Sequence, residues 1–214
     1  MIYFFHGRDR NRFSREADQM YRLRARQFHE RLKWDVAVKD GWESDAYDEL
    51  NPLYLVSKSE TGSVVGALRF LPTTGPTMMR DVFDQYFDAP FEIESPLIWE
   101  CSRFAVETAA SDRWTTPTGL CRATFELLQG GCEIALRAGV AQVVGVFDQY
   151  AGKVYRRSGW KPEIIARSDK PSTGTIHVGI WDVSEDNLAA MREQSGLTGS
   201  VLAPSQNPFL NAAA

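Results

Sequence analysis

The chain has 214 residues, of which 43% are hydrophobic and 24% are charged. This composition is typical of a globular protein and disfavours an intrinsically disordered chain, which has fewer apolar residues. The formal net charge of −4 disfavours a nucleic-acid-binding protein, because such proteins usually carry an excess of Lys and Arg. We therefore expect one folded domain over residues 1–214, with no nucleic acid among its partners.

The first half of the chain predicts two helices and two strands around a polar segment. Apolar residues recur at helical spacing from Ser14 to about Leu32, and Ser14 is a suitable N-cap. The segment 33–52 mixes acids and tryptophans without a clear period. Apolar runs then predict strands over Leu53–Lys58 and Val64–Leu71, and Met79–Phe87 has the pattern of a short helix.

The second half predicts six further elements and a tail from Gly196 that we expect to be loosely ordered. Residues 141–147 are almost wholly apolar, so we expect them in the middle of a sheet, covered on both faces. Because strands and helices alternate, the sequence predicts an α/β three-layer sandwich with a mixed central sheet. The six elements are a strand over Leu97–Val106, a helix over Pro117–Ala138, a strand over Ala141–Phe147, a helix from Gln149 to about Ser158, and edge strands near Pro162–Arg167 and Thr175–Val183.

Charged residues interrupt three of the predicted apolar segments. Arg24 lies on the apolar face of the first helix, and Arg69 lies among apolar residues of the second strand. Glu100 and Arg103 both lie in the apolar strand that follows the short helix. A lone charge in such a place costs several kcal/mol unless it is paired or faces a polar cleft.

Counter-charges for the arginines are available at Asp45 and Asp48. Three arginines and three carboxylates together predict a polar pocket that suits a zwitterionic substrate with an amine and a carboxylate. An internal ion-pair network without a ligand explains the same residues, so the pattern alone leaves both interpretations open. On an ideal strand, Glu100 and Arg103 point to opposite faces. Either a bulge turns one of them, or the two serve different sides of the sheet.

The remaining chemistry-bearing residues give no metal or export signal. Cys101, Cys121 and Cys132 are odd in number, and neither they nor the three dispersed histidines have metal-ligand spacing. We expect reduced thiols and no metal site. The start, MIYFFHGRDRNRF, lacks the order of a signal peptide, and no stretch approaches the ~20 apolar residues that span a bilayer. We expect a cytoplasmic protein that contacts no membrane.

Eight residues form an ordered pattern of Arg, Phe, Trp, Asp, Asp, Arg, Glu and Arg. They are Arg24, Phe28, Trp34, Asp45, Asp48, Arg69, Glu100 and Arg103. In type, order and approximate spacing this pattern resembles the acyl-homoserine-lactone synthases, the autoinducer synthases of bacterial quorum sensing. The similar stretch runs from about residue 20 to 160 and includes VVGALRFLPTTGPTMM and WECSRFAV.

The resemblance implies a fold similar to that of the GNAT N-acyltransferases. In that fold two central strands splay apart and admit the pantetheine arm of the acyl donor. In this chain those strands are expected to be Leu97–Val106 and Ala141–Phe147.

The resemblance also implies an enzyme, an acyltransferase with two substrates and no cofactor. The α-amine of S-adenosylmethionine attacks an acyl thioester and forms an amide. The methionine carboxylate then displaces methylthioadenosine from its own γ-carbon and closes a lactone. Two rival interpretations are a coenzyme A-dependent GNAT-type N-acetyltransferase and a non-catalytic S-adenosylmethionine-binding module.

Residue roles follow from the same resemblance. Glu100 is the expected general base, because an α-amine is largely protonated at pH 7; an ion pair with an arginine is its alternative role. Asp45 and Asp48 are expected to hold the substrate ammonium and the first-helix arginine, and Asp45 to share in base catalysis. Which arginine touches the substrate stays open. The predicted catalytic set is Glu100, Asp45 and Arg103, and the predicted S-adenosylmethionine-binding set is Arg24, Phe28, Trp34, Asp45, Asp48, Arg69 and Arg103.

The acyl tail is expected between the sheet and the long helix. Some family members that prefer 3-oxo chains carry a threonine where this chain has Gly145, which has no hydroxyl to donate. We therefore expect an acyl group without a 3-oxo substituent. The predicted acyl-pocket set is Ser102, Phe104, Val144, Gly145 and Val146.

The acyl donor is expected to be an acyl carrier protein or acyl-coenzyme A. The stretch TTPTGLC before the long helix has a single glycine, unlike the glycine-rich pyrophosphate loop of ordinary acetyltransferases, which favours the carrier protein. Because carrier proteins are acidic, a basic landing site is expected on the helix after the last core strand. A solvated helix face is the alternative interpretation. The predicted docking set is Lys153, Arg156 and Arg157, with Lys161 just beyond.

Overall fold

A computed structural model of the protein describes residues 1–107, 116, 118–170 and 174–204. Within these residues the chain forms a seven-stranded sheet, a small two-stranded hairpin and four α-helices. In chain order the strands and α-helices are β1 Ile2–His6, α1 Ser14–Arg24, β2 Val38–Lys39, β3 Trp42–Glu43, β4 Leu53–Lys58, β5 Val64–Pro72, β6 Ile98–Val106, α2 Arg122–Arg137, β7 Gln142–Asp148, α3 Gln149–Ser158, β8 Glu163–Ser168, β9 Ile176–Asp182 and α4 Glu185–Ser195. Shorter helical turns are Gly7–Asp9, Ala25–Arg31, Ala46–Glu49, Met79–Phe83 and Asp84–Tyr86.

The large sheet has the strand order β1-β4-β5-β6-β7-β9-β8. Neighbouring strands are antiparallel except for β6 and β7, which are parallel, so the sheet is mixed. Alternate residues of β4 show the layers: Leu55 packs with α2 residues, whereas Tyr54 and Val56 pack with α1 residues. Helices therefore cover both faces, and the predicted three-layer α/β sandwich is confirmed.

The central strands β6 and β7 pair over only part of their length. The parallel ladder ends at Glu100 and Val144, after which β6 continues beside β5 and β7 continues beside β9. The two strands therefore splay apart in the middle of the sheet, as the resemblance implied. Backbone groups that face the opening have no ladder partner on that side.

Two predicted elements differ from the structure. The long helix was predicted to start at Pro117, which lies outside the described residues; in the structure α2 begins at Arg122. The Thr116 N–H donates to the Leu120 carbonyl over 3.0 Å, so a tight turn occupies the predicted first turn of the helix. The predicted edge strand Thr175–Val183 is also wrong in its position. It corresponds to β9, which lies inside the sheet between β7 and β8.

The expectation of a loosely ordered tail is wrong for residues 196–204. Val201, Leu202 and Ala203 are buried, and they pack beside β1. The Ile2 N–H donates to the Val201 carbonyl and the Ala203 N–H donates to the Ile2 carbonyl, each over 2.8 Å. Apolar side chains and backbone pairing together fix this segment, while residues 205–214 lie outside the described part of the chain. No helix among the described residues is both long enough and apolar enough to cross a membrane.

Candidate active site

Six charged side chains converge on the face of the sheet that α1 covers. Their charges sum to zero, because three are arginines and three are carboxylates. Four of them are at most 1% exposed, which is rare for charged side chains unless each has a partner. The six are Arg24, Glu43, Asp45, Asp48, Arg69 and Arg103.

Arg24 occupies the last turn of α1, where the regular helix gives way to the wider π-helical turn Ala25–Arg31. Its guanidinium donates to Glu43 over 2.6 Å and binds both carboxylate oxygens of Asp48 over 2.8 and 2.9 Å. Burial by itself raises the pKa of Asp48, but the charges of Arg24 and Arg69 outweigh it and hold that pKa well below its usual range. Asp48 is therefore ionised at neutral pH.

The two aspartates are fixed by the local sequence DAYD. Asp45 caps the turn Ala46–Glu49 by accepting the Tyr47 N–H over 3.0 Å, and Asp48 accepts the Asp45 N–H over 2.8 Å. This reciprocal capping presents both carboxylates on one side of the turn. The Tyr54 hydroxyl also donates to Asp48 over 2.7 Å, so the orientation of Asp48 is set by three different elements.

A β-bulge in β6 settles the geometric conflict between Glu100 and Arg103. In the ladder with β5, the pairing shifts by one residue after Ser102, so Arg103 and Phe104 together oppose a single β5 residue. Arg103 adopts a left-handed backbone with φ of 54°, which non-glycine residues rarely adopt. The bulge turns Arg103 onto the face that already carries Glu100 and sends Phe104 to the other side.

Arg69 and Arg103 complete the network from the sheet. Arg69 binds Asp45 over 2.5 and 3.1 Å and donates to the Ser102 hydroxyl over 3.0 Å. Arg103 lies 2.7 Å from Asp45 and 3.0 Å from Glu43. Burial lowers the pKa of Arg103, although both carboxylates oppose that shift.

Glu100 differs from the other acids because its hydrogen-bond partners are backbone groups. It is 1% exposed, and its two oxygens accept the N–H groups of Met78 and Met79 over 3.0 and 2.6 Å. Among the described residues, no Lys or Arg forms an ion pair with Glu100. Burial raises the pKa of Glu100, and the two N–H groups only partly oppose that shift. A buried carboxylate with a raised pKa is typical of groups that transfer protons in active sites.

The network opens to solvent at one end. The Asp45 side chain is 18% exposed and that of Arg103 is 8% exposed, whereas those of Arg24 and Asp48 are 1% exposed. Beside Arg103, the ring of Phe28 lies 5.5 Å below the guanidinium and stacks on Trp34 at a centroid distance of 5.2 Å. Trp34 is 42% exposed, so an aromatic surface borders the open end of the network.

The comparisons with known proteins agree with this geometry. Residues 9–191 match the profile of the family described as autoinducer synthase. The acyl-homoserine-lactone synthase of Rhizobium etli is 44% identical over 179 residues, which cover 83% of this chain and 82% of that protein. The chain belongs to the autoinducer synthase family. It is therefore an acyltransferase by family, and the resemblance drawn from the eight residues is confirmed.

Solved structures support the fold of the family. The CoA-dependent acyl-homoserine lactone synthase BjaI, solved with SAM and isopentyl-CoA, aligns with a TM-score of 0.81 at 24% identity, over 95% of this chain and 92% of that one. An acyl-CoA N-acyltransferase from Pseudomonas aeruginosa aligns with a TM-score of 0.50 at 15% identity, over 86% of this chain and 99% of that one. These likenesses confirm that the autoinducer synthase fold is similar to that of the acyl-CoA N-acyltransferases.

The structure divides the predicted acyl-pocket residues between the two faces of the sheet. Val144 and Val146 pack with Met79 on one face, whereas a Cβ built on Gly145 would point to the opposite face, 3.7 Å from the Trp181 ring. Phe104 packs on the same side as Gly145. Ser102 belongs to the polar network instead, because its hydroxyl accepts a hydrogen bond from Arg69. These residues therefore border the β6–β7 splay from both sides and do not line one wall.

The predicted docking residues Lys153, Arg156 and Arg157 are exposed on α3. Arg156 and Arg157 line a depression of about 480 Å³ between α3 and α4, which Lys161 also borders. None of these four cations forms an ion pair with a described carboxylate. A concentrated positive surface of this kind attracts an anionic partner.

Sequence reasoning missed Glu43, which bridges Arg24 and Arg103 and is completely buried. A signal for it was present in the sequence. Glu43 precedes Asp45 by two residues, and in an extended segment such residues project to the same side. The N–H groups of Met78 and Met79 were also missed, because no side-chain pattern reports a backbone donor.

Proposed function

We propose that this chain is an acyl-homoserine-lactone synthase that N-acylates S-adenosylmethionine from an acyl thioester and then closes the lactone. One observation carries the proposal. Glu100, a buried carboxylate whose hydrogen bonds to the described residues come from backbone N–H groups, lies on the same face as an arginine–carboxylate network that opens at Asp45 and Arg103. The face also borders the β6–β7 splay, so a base, an amino-acid site and a thioester slot adjoin one another.

In the first step the amine nitrogen attacks the thioester carbonyl carbon, the C–S bond breaks, and the thiolate leaves. The amine must lose a proton, because an α-amine with a pKa of about 8 is mostly protonated at pH 7. Glu100 takes this proton directly or through one water. Its raised pKa brings its proton affinity closer to that of the amine, while Asp45 holds the ammonium before transfer.

In the second step a carboxylate oxygen of the acylated substrate attacks its own γ-carbon. The C–S bond to the sulfonium breaks, and methylthioadenosine leaves as a neutral thioether. Arg103 orients the attacking carboxylate from the open end of the network, and Phe28 with Trp34 supports the adenosine moiety. Both the thioester and the sulfonium are already activated, so the proposed reaction requires no metal or further cofactor. We also propose that the reaction takes place in the cytoplasm.

Within this function, the donor we propose is an acyl carrier protein. Support comes from the exposed cations of α3, which match an acidic protein surface, and from the single glycine in the turn before α2. The same cations also suit the phosphates of coenzyme A. Kinetics with both donors on the same acyl chain separate them, and a higher kcat/KM for acyl-coenzyme A would reject the carrier protein.

The acyl group that we propose lacks a 3-oxo substituent. A Cβ placed on Gly145 would lie 2.9 Å from the carbonyl oxygen of Cys101, so any side chain there would push β6 away from β7. Glycine therefore allows the backbones of β6 and β7 to lie close together where the splay begins. It also offers no hydroxyl donor there. Mass spectrometry of the products is expected to show unsubstituted acyl chains, and a product mixture dominated by 3-oxo species would reject this assignment.

The decisive experiment incubates the purified protein with S-adenosylmethionine and matched panels of acyl carrier protein and acyl-coenzyme A donors. We expect acyl-homoserine lactone and methylthioadenosine in equal amounts. Release of an acylated amine without methylthioadenosine would instead indicate an N-acetyltransferase. Binding of S-adenosylmethionine without any product from any donor would indicate a non-catalytic module.

A further inference from the structure

The Glu100 carboxylate depends on one loop, residues 73–77, which joins β5 to the turn Met79–Phe83. Thr73 and Thr77 are completely buried at the two ends of this loop. Directly after it, the N–H groups of Met78 and Met79 grip both oxygens of Glu100. The position of the loop therefore decides whether the two donors point at the carboxylate.

Arg80 reaches back from the turn into the inside of this loop. Its Nη2 donates to the carbonyl oxygen of Thr73 over 2.9 Å and to that of Gly75. Its Nε donates to the Thr77 hydroxyl over 3.3 Å. The guanidinium thus joins three points of the loop, and its remaining Nη1 pairs with Glu94 over 3.2 Å at the surface.

We propose that Arg80 is a positioning residue for Glu100: its guanidinium holds the 73–77 loop in the shape that aims the N–H groups of Met78 and Met79 at the carboxylate. The inference rests on the proposed role of Glu100 as the base. Arg80 itself does not touch the carboxylate, because its donors are used by the loop and by Glu94.

The physical reason is that two carbonyls of the loop accept hydrogen bonds from Arg80. Without Arg80, the partly buried carbonyls of Thr73 and Gly75 lose their cationic donor, and we expect the loop backbone to rearrange until they find other partners. The loop is directly bonded to Met78, so its shift displaces the donor pair from Glu100. Even a displacement of about 1 Å can reduce turnover strongly in a site that relies on fixed geometry.

Loss of the two N–H hydrogen bonds is also expected to change the pKa of Glu100 in a defined direction. The Met79 and Met78 N–H groups oppose the rise of the Glu100 pKa that burial causes. Removing Arg80 is therefore expected to raise the Glu100 pKa further. The acid limb of the kcat–pH profile then moves to higher pH, since the carboxylate must be ionised to accept a proton.

The test compares Arg80→Met, Arg80→Lys and the control Glu94→Gln in the full chain. Two readouts are measured: kcat and KM for S-adenosylmethionine across pH, and the Glu100 titration by ¹³C NMR of its carboxyl carbon, assigned with Glu100→Gln. For Arg80→Met we expect kcat to fall ~10-fold or more, with KM changed less than ~3-fold. We expect the Glu100 pKa to rise by about one unit.

Arg80→Lys is expected to recover part of both effects, because an ammonium can still bind one carbonyl, and Glu94→Gln is expected to match the wild type. Wild-type kcat and titration in Arg80→Met would overturn the proposal, as would a lower kcat with an unmoved Glu100 titration. If Arg80→Met does not fold, the same two outcomes are decided on Arg80→Lys. Failure of the proposed function is distinguishable, because the NMR titration responds to Arg80 even if the wild type makes no lactone.

Discussion

Two groups of buried charge lie on the same face of the sheet, and they are stabilised in opposite ways. In the network around Arg24, each charge meets an opposite charge, and the pKa of Asp48 is held well below its usual range. Glu100 instead accepts hydrogen bonds from the N–H groups of Met78 and Met79, and burial raises its pKa although the charge of Arg69 opposes that rise. The comparison separates a scaffold of carboxylates that are held in ion pairs from one acid whose pKa is raised by burial. Only the second is suited to moving a proton during the reaction.

The contrast between the two groups is tested most directly by a substitution at Glu100. Replacing it with Gln is expected to lower kcat ~1,000-fold, within the range that general bases contribute, while the affinity for S-adenosylmethionine changes little. Gln can accept only one of the two N–H groups, so calorimetric binding of S-adenosylmethionine is the check on local geometry. Glu94→Gln, which removes an exposed carboxylate from the loop before β6, is the control. Unchanged turnover in Glu100→Gln would remove this residue as the base.

The scaffold role predicts a loss of stability at Arg24. Arg24→Met leaves the buried carboxylates of Glu43 and Asp48 short of a partner, which is expected to destabilise the fold by about 3–5 kcal/mol. Thermal unfolding should show a Tm lower by roughly 10 °C for a chain of this size. Arg10→Met breaks the exposed pair with Glu49 and should cost less than about 1 kcal/mol. Equal Tm values for the two variants would contradict the distinction between scaffold and surface pairs.

The proposed role of Glu100 as the base predicts that the charge of Asp81 affects the pH dependence of activity. The negative charge of Asp81 raises the pKa of Glu100, after burial, which is the larger cause. Asp81→Asn removes that charge, so the pKa of Glu100 should fall and the acid limb of activity should move to lower pH. Tyr47→Phe removes the 3.1 Å hydrogen bond to Asp81 but keeps the charge, so it should not reproduce the shift. A shift to higher pH in Asp81→Asn would show that the assigned sign is wrong.

A third set of charges, on α3, is exposed and unpaired, and its predicted effect is the smallest. Reversing Arg156 and Arg157 to Glu is expected to raise the KM for a carrier-protein donor ~10-fold at low salt, with kcat unchanged. The effect should shrink at high salt, since exposed charges are screened. Arg15→Glu, which makes a single charge reversal on α1 in the opposite layer, is the control, and it is compared with Arg156→Glu alone. An unchanged KM at both salt concentrations would leave these cations as a solvated helix face.

The sequence predicted the polar cluster because charged residues in apolar segments need partners. Arg24 and Arg69 were recognisable on that basis, and the structure brings them to Asp45 and Asp48. Glu43 was missed, since it lies in a segment without periodicity, although its spacing from Asp45 placed it on the same side. Alternation along β7 also shows why the acyl-pocket residues divide between two faces.

The parts that escaped prediction depend on contacts distant in sequence. The bulge at Arg103 could be named only as one of two alternatives, because it depends on the register between β5 and β6, which no local pattern specifies. The burial of Val201 and Leu202 depends on pairing with the first strand, and a composition rich in small residues gives no sign of it. β9 likewise lies inside the sheet because β8 pairs with its outer side and forms the edge.

The central claim is that Glu100 receives the proton of the substrate amine at the open end of the arginine–carboxylate network. A crystal structure of the protein with S-adenosylmethionine tests it most directly. We predict that the amine nitrogen lies within hydrogen-bond reach of Glu100, or one water away, with the substrate carboxylate at Arg103. An amine that sits elsewhere, with Glu100 still enclosed by Met78 and Met79 and unreachable by water, would contradict the account.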